Sequence, residues 1–281
     1  MPRAHPETIS PTAHYTGYVW FAHGQSHEAF ATPQGKVMYH ALRAANMIAQ
    51  VAGWPTLEGM LLARHRLIDL RLTELIDSGR VAQVVEVAAG LSPRGWRFRK
   101  KYGDKLRYVE ADLPAMIGHK RELLAQLEPR RSTVDTVEID ALADTGPATI
   151  DALCASLDPK LGTAIVTEGL INYFDEPTLL AMWRRFAAAL ARFPVGFYLS
   201  DLMLREHNVG ALTASFSWLL AAFVRGKVHP HFDSTDAAER ALADCGFSGV
   251  LLDPRDFAPA LPDLELAGAA RVRIIEAMVE T

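Results

Sequence analysis

Residues 81–95 read Val-Ala-Gln-Val-Val-Glu-Val-Ala-Ala-Gly-Leu-Ser-Pro-Arg-Gly. Val81 to Val87 is rich in β-branched residues, the pattern of a strand buried on both faces. The run then collapses into Ala88, Ala89 and Gly90. A strand that breaks into small residues lets backbone amides approach a ligand closely. Glu86 sits near the end of this apolar run, where a carboxylate is costly unless it is paired or faces a polar cleft. Two more acids, Glu110 and Asp112, end the next strand-like run, Leu106 to Asp112. An acid about twenty residues beyond the first loop suits a ribose diol, because a carboxylate accepts from both hydroxyls. The G-x-G-x-x-G pattern is not met, so the loop alone fits any βα turn of an α/β domain as well as a nucleotide-like ligand.

Outward from this stretch the chain alternates strands and helices. Residues 34–52 are predicted helical, with Val37, Leu42, Met47, Ile48 and Val51 among the apolar positions and Gly53 and Pro55 as the stop. A second helix spans about Thr56 to Asp77 with a stripe of Leu57, Leu61, Ile68, Leu72 and Leu75. Arg64 lies at the edge of that stripe, where most arginines snorkel to water or pair with an acid. Downstream, a helix from Pro114 to about Leu127 precedes a strand at Val134–Asp140. A short helix opened by Pro147 covers 147–157, and a strand runs from Thr163 to Glu168. A helix over Glu176–Arg192 leads to a fifth strand, Val195–Asp201. Such alternation implies an α/β fold, a mostly parallel sheet with helices on both faces, and ligands of such sheets bind at the carboxyl ends of the strands. Glu110, Asp112, Asp140 and Glu168 therefore line one rim. Helix capping would account for one or two of them but is the weaker account of all four.

Residues 202–231 interrupt the pattern with an apolar helix, Leu212–Val224, flanked by His207, His229 and His231. It fits a lid over the rim, a packing element or a dimer element equally well. A helix at Ser234–Cys245 and two closing strands, Phe247–Leu252 and Ala270–Met278, joined by a Pro-rich loop, complete the chain. At the other end, residues 1–13 read as a loose arm. The aromatic and histidine-rich stretch that follows (His14, Tyr15, Tyr18, Trp20, His23) has no clear helical period. It is either a packed segment over a core edge or one wall of an acceptor pocket.

With 281 residues, 49% hydrophobic and 22% charged, the sequence suits one large globular domain and excludes a mostly disordered chain. The net charge of −4 gives no reason to expect nucleic acid as a partner. Cys154 and Cys245 supply neither a metal cluster nor a disulfide framework, and a reducing, cytoplasmic setting fits them. Met1–Ser10 lacks the apolar core of a secretory signal, and no uncharged stretch reaches membrane-span length.

Five runs carry a family resemblance: Leu62-Ala63-Arg64-His65; Gln83 to Gly90; Arg94-Gly95-Trp96-Arg97; Tyr108-Val109-Glu110-Ala111-Asp112-Leu113-Pro114 with Lys120; and Thr167-Glu168-Gly169-Leu170-Ile171-Asn172-Tyr173. The chain resembles the leucine carboxyl methyltransferase family of class I S-adenosylmethionine (SAM)-dependent methyltransferases, and within it the bacterial TcmP-like polyketide O-methyltransferases. The resemblance covers nearly the whole chain. It implies a single Rossmann-like methyltransferase domain with a seven-stranded, mostly parallel sheet. An N-terminal helical cap would span 1–78, a SAM-binding core 79–201, a lid-like insertion 202–231, and a closing helix and strands 232–281.

The resemblance also implies site roles. Arg64 would pair with the methionine carboxylate of SAM. Ala88, Ala89 and Gly90, with Glu86 beneath them, would meet its amino-acid end. Asp112, with Glu110, would hold the ribose, Asp140 and Ala141 would face adenine, and Glu168 and Gly169 would lie under the sulfonium. The chain departs from the family at Ala88, where members commonly have Gly; an alanine there permits the close approach while φ stays negative. His14, Tyr15, Tyr18, Trp20, His23, Tyr173, His207 and Trp218 are the candidate acceptor-binding residues. No metal and no defined catalytic residue are implied. A small-molecule carboxylate or hydroxyl is the expected acceptor, with a protein C-terminal carboxylate as the rival and a non-catalytic SAM-binding protein as the alternative class. A carboxylate needs no general base. A hydroxyl does, and His14, His207, His229 and His231 are available for it. A homodimer is compatible with the sequence.

Overall fold

The computed structural model describes residues 11–127, 134–206 and 229–279. Seven strands form one sheet in the order β3-β2-β1-β4-β5-β7-β6. They are β1 (Gln83–Val87), β2 (Arg107–Asp112), β3 (Asp135–Glu138), β4 (Thr163–Thr167), β5 (Gly196–Leu202), β6 (Ser248–Leu252) and β7 (Arg273–Val279). The first five are mutually parallel, and β7 runs antiparallel between β5 and β6. This is the seven-stranded, mostly parallel sheet that the family resemblance implies, in the strand order of class I methyltransferases. The chain winds one way from β1 to β3 and the other way from β4 to β5, so the carboxyl ends of β1 and β4 flank the topological switch point.

The β1 pleat explains how apolar strands carry acids. Val85 and Val87 pack into the apolar layer formed with α6 (Ile150–Ala155) and α7 (Glu176–Leu190). Val84 enters the opposite layer, which includes α3 (Leu57–Asp77). Glu86 shares the Val84 face because side chains alternate along a strand. Tyr108 and Glu110 on β2 pair in register with Val84 and Glu86, so both acids are buried on the α3 face, beneath the rim.

The N-terminal region is helical further out than the sequence implies. Residues 11–13, expected in a loose arm, belong to α1 (Pro11–Ala22), and residues 1–10 lie outside the described residues. Tyr15 through Trp20 are all buried, so α1 is enclosed on several sides and shows no amphipathic period. In α2 (Pro33–Val51) the helix forms where expected, but Val37, Met47, Ile48 and Val51 face outward and only Gly35 and Asn46 are buried. Helix α3 is N-capped by Thr56, whose hydroxyl accepts from the Gly59 amide at 2.9 Å. It ends at Gly79, which takes φ +75° to turn the chain into β1.

Other boundaries move by a few residues. The helix expected at 147–157 is confined to Ile150–Ala155, because Thr149 and not Pro147 caps it. The last strand starts at Arg273, since residues 266–269 form a helical turn, α9 (Leu266–Ala269), after a 3-10 segment at Pro254–Ala260. Helices α4 (Arg94–Tyr102), α5 (Pro114–Leu127) and α8 (Thr235–Asp244) complete the layers. Of the insertion expected at 202–231, residues 207–228 lie outside the described residues, and His207 and Trp218 with them.

Candidate active site

At the switch point, side chains from two helices, α3 and α4, converge on one carboxylate. Glu168 follows β4, and its side chain is only 4% exposed. It accepts from Arg64 Nε at 3.1 Å, from Arg94 Nη2 at 2.5 Å, and lies 2.8 Å from His65 Nδ1. Burial alone would raise its pKa, but His65, Arg94 and Arg64 outweigh that and hold it well below the usual carboxylate range. Arg64 Nη1 reaches Asp201 on β5 at 3.1 Å, and Asp201 also accepts from the Gly169 amide at 2.6 Å. Burial disfavours the Arg64 charge, but Asp201 and Glu168 more than compensate. Arg64 Nη2 makes no hydrogen bond among the described residues. Gly169, at φ +69°, lies against it, and a Cβ there would stand 2.9 Å from Nη2.

The network continues beneath the rim. Arg94 is fully buried and also donates to Asp69 (2.5 Å) and Glu86 (2.6 Å). Arg97 bonds Asp69 and approaches His65 Nε2 at 2.9 Å. Burial opposes ionisation of Asp69, but Arg97, His65 and Arg94 bring its pKa down to about 2. His65 is completely buried, and desolvation pushes its pKa down toward the neutral imidazole. Tyr108 donates to Glu86 at 2.8 Å. Three guanidiniums (Arg64, Arg94, Arg97) thus face four carboxylates (Glu86, Asp69, Glu168, Asp201). With ordinary ionisation states the cluster carries one net negative charge.

On the other side of the switch point, the loop after β1 holds an unusual backbone. Ala88 has φ +55° and Gly90 φ +50°. The negative φ under which an alanine here would permit the close approach is therefore not met: the turn demands the left-handed conformation that glycine favours, and alanine is forced into it. Asp112 fastens this loop, accepting from the Gly90 amide at 2.8 Å and the Leu113 amide at 2.7 Å. Burial raises the Asp112 pKa against those two bonds. Glu110 is buried below it, 3.0 Å from Lys120 Nζ, and burial pushes its pKa up to about 7. Asp140 is exposed just past β3, accepting from the Leu142 amide at 2.9 Å, with Ala141 half-buried beside it.

The structure thus places Arg64, Ala88, Ala89, Gly90, Asp112, Asp140, Ala141, Glu168 and Gly169 at or beside strand carboxyl ends. Glu86 and Glu110 are engaged beneath them by Arg94 and Lys120. Sequence reading passed over Asp69, His65, Arg94, Arg97 and Asp201 as site residues. Asp201 was visible as another strand-terminal acid, and His65 and Asp69 stand one helical turn apart on α3.

Of the acceptor candidates, Trp20 lies over His65 with ring centres 4.5 Å apart. The α1 backbone passes close to the loop: a Cβ on Gly17 would touch Leu91, and one on Gly90 would meet Ala13. Tyr15 is buried with its hydroxyl 3.5 Å from Asn46 Nδ2, and Tyr18 packs on Tyr39. His23 Nε2 lies 2.5 Å from Glu58 Oε1, while Glu58 Oε2 accepts from Asn46 at 3.1 Å. His14 Nδ1 lies 2.9 Å from the Thr32 hydroxyl. His231 is buried with Nε2 3.0 Å from the Ile171 carbonyl, the His229 amide donates to the Asn172 carbonyl, and Tyr173 is 39% exposed. Cys154 and Cys245 are buried free thiols. Among the described residues no helix is long and apolar enough to cross a membrane, and no group of His, Cys, Asp and Glu is arranged to hold a metal.

A family model described as leucine carboxyl methyltransferase matches residues 19–187. Among solved structures, a DUF574 family protein from Streptomyces avermitilis superposes with a TM-score of 0.66 at 13% identity, over 97% of this chain and 98% of that one. An O-methyltransferase family protein from Burkholderia thailandensis gives a TM-score of 0.53 at 16% identity, over 79% of this chain and 58% of that one. Magnesium protoporphyrin IX methyltransferase from Synechocystis, solved with bound S-adenosylhomocysteine, gives 0.50 at 10% identity, over 87% and 99%. At these identities the superpositions establish the fold. No protein of curated function matches the sequence.

Proposed function

The chain belongs to the leucine carboxyl methyltransferase family and is a SAM-dependent methyltransferase, and from that premise we propose that it methylates a small-molecule oxygen nucleophile, as the TcmP-like polyketide O-methyltransferases do. The observation that carries this reading is the Arg64–Glu168–Asp201 constellation at the switch point, facing the Ala88–Gly90 loop. Arg64 Nη2 would receive the methionine carboxylate. The loop and Asp112 would bracket the amino-acid end and the ribose, and Asp140 with Ala141 would edge the adenine. SAM carries a sulfonium, an ammonium and a carboxylate, hence one net positive charge. The cluster's single net negative charge complements it. Loss of the methyl group leaves S-adenosylhomocysteine neutral, so this long-range attraction weakens once transfer is complete.

When bound, SAM supplies the electrophilic methyl group. The chain's own work is to align the acceptor oxygen behind that carbon and to exclude water. Helix α1, with Trp20 over His65 and its backbone against the loop, suits one wall of the acceptor space. A carboxylate acceptor is already anionic and needs no base.

A second reading, a hydroxyl acceptor, draws support from one observation. His23 is held by Glu58, whose other oxygen is held by the buried Asn46. A histidine oriented by a carboxylate is the usual arrangement of a general base. Of the histidines considered from sequence, His14 and His231 are instead engaged by Thr32 and a backbone carbonyl. The deciding experiment is incubation with methyl-labelled SAM and a panel of aromatic acids, polyphenols and cell extract. Base-labile label identifies an ester and base-stable label an ether. Absence of SAM binding by calorimetry overturns the site assignment.

A further inference from the structure

Lys120, on α5, is 1% exposed, and a buried ammonium is a costly choice for a position that only needs filling. The ammonium donates to the Gly90 carbonyl at 3.2 Å and the Ser92 carbonyl at 2.5 Å, and it is ion-paired with Glu110, whose Oε2 lies 3.0 Å away. The same ammonium lies 5.3 Å from the centre of the Phe30 ring, and Phe30 is fully buried in the segment between α1 and α2. One cation thus joins the loop after β1, strand β2, helix α5 and the N-terminal cap.

We propose that Lys120 is a positioning residue for the cofactor's amino-acid end: it draws the Gly90 and Ser92 carbonyls inward and so holds the left-handed Ala88–Gly90 turn in its receiving shape. This rests on the SAM-site reading above. The physical reason lies in the planar peptide. In a trans peptide the carbonyl of one residue and the amide of the next point in opposite directions. Fixing the Gly90 carbonyl on Lys120 therefore aims the Leu91 amide away from it. Without the clamp, Ala88 at φ +55° would relax toward an ordinary conformation, because nothing in its own side chain favours the left-handed region.

Glu110 supplies the counter-charge. It fits because residue 95 is glycine: a Cβ there would stand 2.4 Å from Glu110 Oε1. The Phe30 face makes the ammonium common to loop and cap, so docking of the cap and shaping of the loop are one event.

The test uses two variants of the full chain, Lys120→Met and the double variant Lys120→Met/Glu110→Gln. The double variant leaves no uncompensated buried charge and keeps the measurement meaningful if the single variant folds poorly. Calorimetry would compare SAM, S-adenosylhomocysteine and adenosine, with circular dichroism and thermal melts reporting the fold. The expected result is a folded double variant that binds SAM and S-adenosylhomocysteine about tenfold or more weakly, a shift of roughly 1.4 kcal/mol, with adenosine within about threefold of wild type. Wild-type affinity for SAM in the double variant overturns the proposal, since Lys120 then only neutralises Glu110. Equal losses for SAM and adenosine, or an unfolded double variant, overturn it too, because Lys120 then acts through the fold. If the wild-type chain itself binds none of the three, the parent reading of the site falls first.

Discussion

Replacing Ala88 with glycine is expected to stabilise this protein. Ala88 sits at φ +55°, where an L-residue with a Cβ pays about 1–2 kcal/mol. Glycine pays nothing there. Two terms oppose the gain. The unfolded chain becomes freer, which costs about 0.4–1 kcal/mol. A half-buried methyl group is also lost, worth about 0.4 kcal/mol at roughly half the value of a buried methylene. With the strain toward the upper end of its range, the balance favours Ala88→Gly by about 0.5 kcal/mol, a rise of about 1–2 °C in melting temperature for a chain of this size. Urea denaturation followed by circular dichroism, at constant slope m, measures it. Affinity for SAM should stay within about twofold, because the Asp112 and Lys120 contacts that shape the loop are to Gly90 and Ser92. The converse change, Ala88→Val, puts a β-branched residue at positive φ and should destabilise the fold by about 1 kcal/mol or more. The reasoning fails if Ala88→Gly lowers stability by more than about 0.5 kcal/mol, or if Ala88→Val is neutral.

Three further outcomes are expected. Arg64→Ala should weaken SAM and S-adenosylhomocysteine but leave adenosine, which has no carboxylate, nearly unchanged, and Arg64→Lys should recover only part of the loss because lysine lacks the planar fork; equal losses for all three ligands would show that Arg64 serves the Glu168–Asp201 pairing and not the ligand. Asp112→Ala should weaken all three ligands, adenosine included, by about 1.5–3 kcal/mol, since it removes both the ribose acceptor and the anchor of the Gly90 amide; unchanged adenosine binding in a folded variant would remove Asp112 from the ribose. Asp69 titrates at about 2 in the fold against an ordinary 3.8, and Glu168 shifts in the same direction, so their stabilisation is complete above the unfolded values and is lost as pH falls through the folded ones. Asp69 accounts for about 2 kcal/mol of this, and melting temperatures that stay flat from pH 4 to pH 2 would refute the pairing. Glu110 acts with the opposite sign: a folded pKa raised to about 7 from 4.5 makes its protonation stabilising as pH falls from 7 toward 4.5, and Glu110→Gln should abolish that limb.

Much of the architecture was legible in the chain itself. The alternation of β-branched runs with helical stripes implied a parallel sheet with helices on both faces, and acids at the ends of those runs marked the rim. Both follow from local rules, the period of a strand or helix and the cost of an unpaired carboxylate in an apolar run, which neighbours far along the chain do not alter. The same rules located α3 with its buried Leu61, Ile68 and Leu72. They failed for α1, whose aromatic residues are buried on several sides, because a helix enclosed by other elements has no polar face to impose a period.

What only the tertiary structure decided was which charges meet. Arg64 and Glu168 stand 104 residues apart in sequence, and Arg64 and Asp201 stand 137 apart. Arg94, quoted from the sequence only as part of the Arg94-Gly95-Trp96-Arg97 run and given no role, proves to be the fully buried partner of Asp69, Glu86 and Glu168. The left-handed φ of Ala88 was likewise invisible, since alanine has no intrinsic preference for it and only the sheet, Asp112 and Lys120 together impose it. Sequence specifies the residue types and their local period. The pairing of buried ions depends on the crossing of the chain at the β1–β4 switch point, and that is set by how the layers pack.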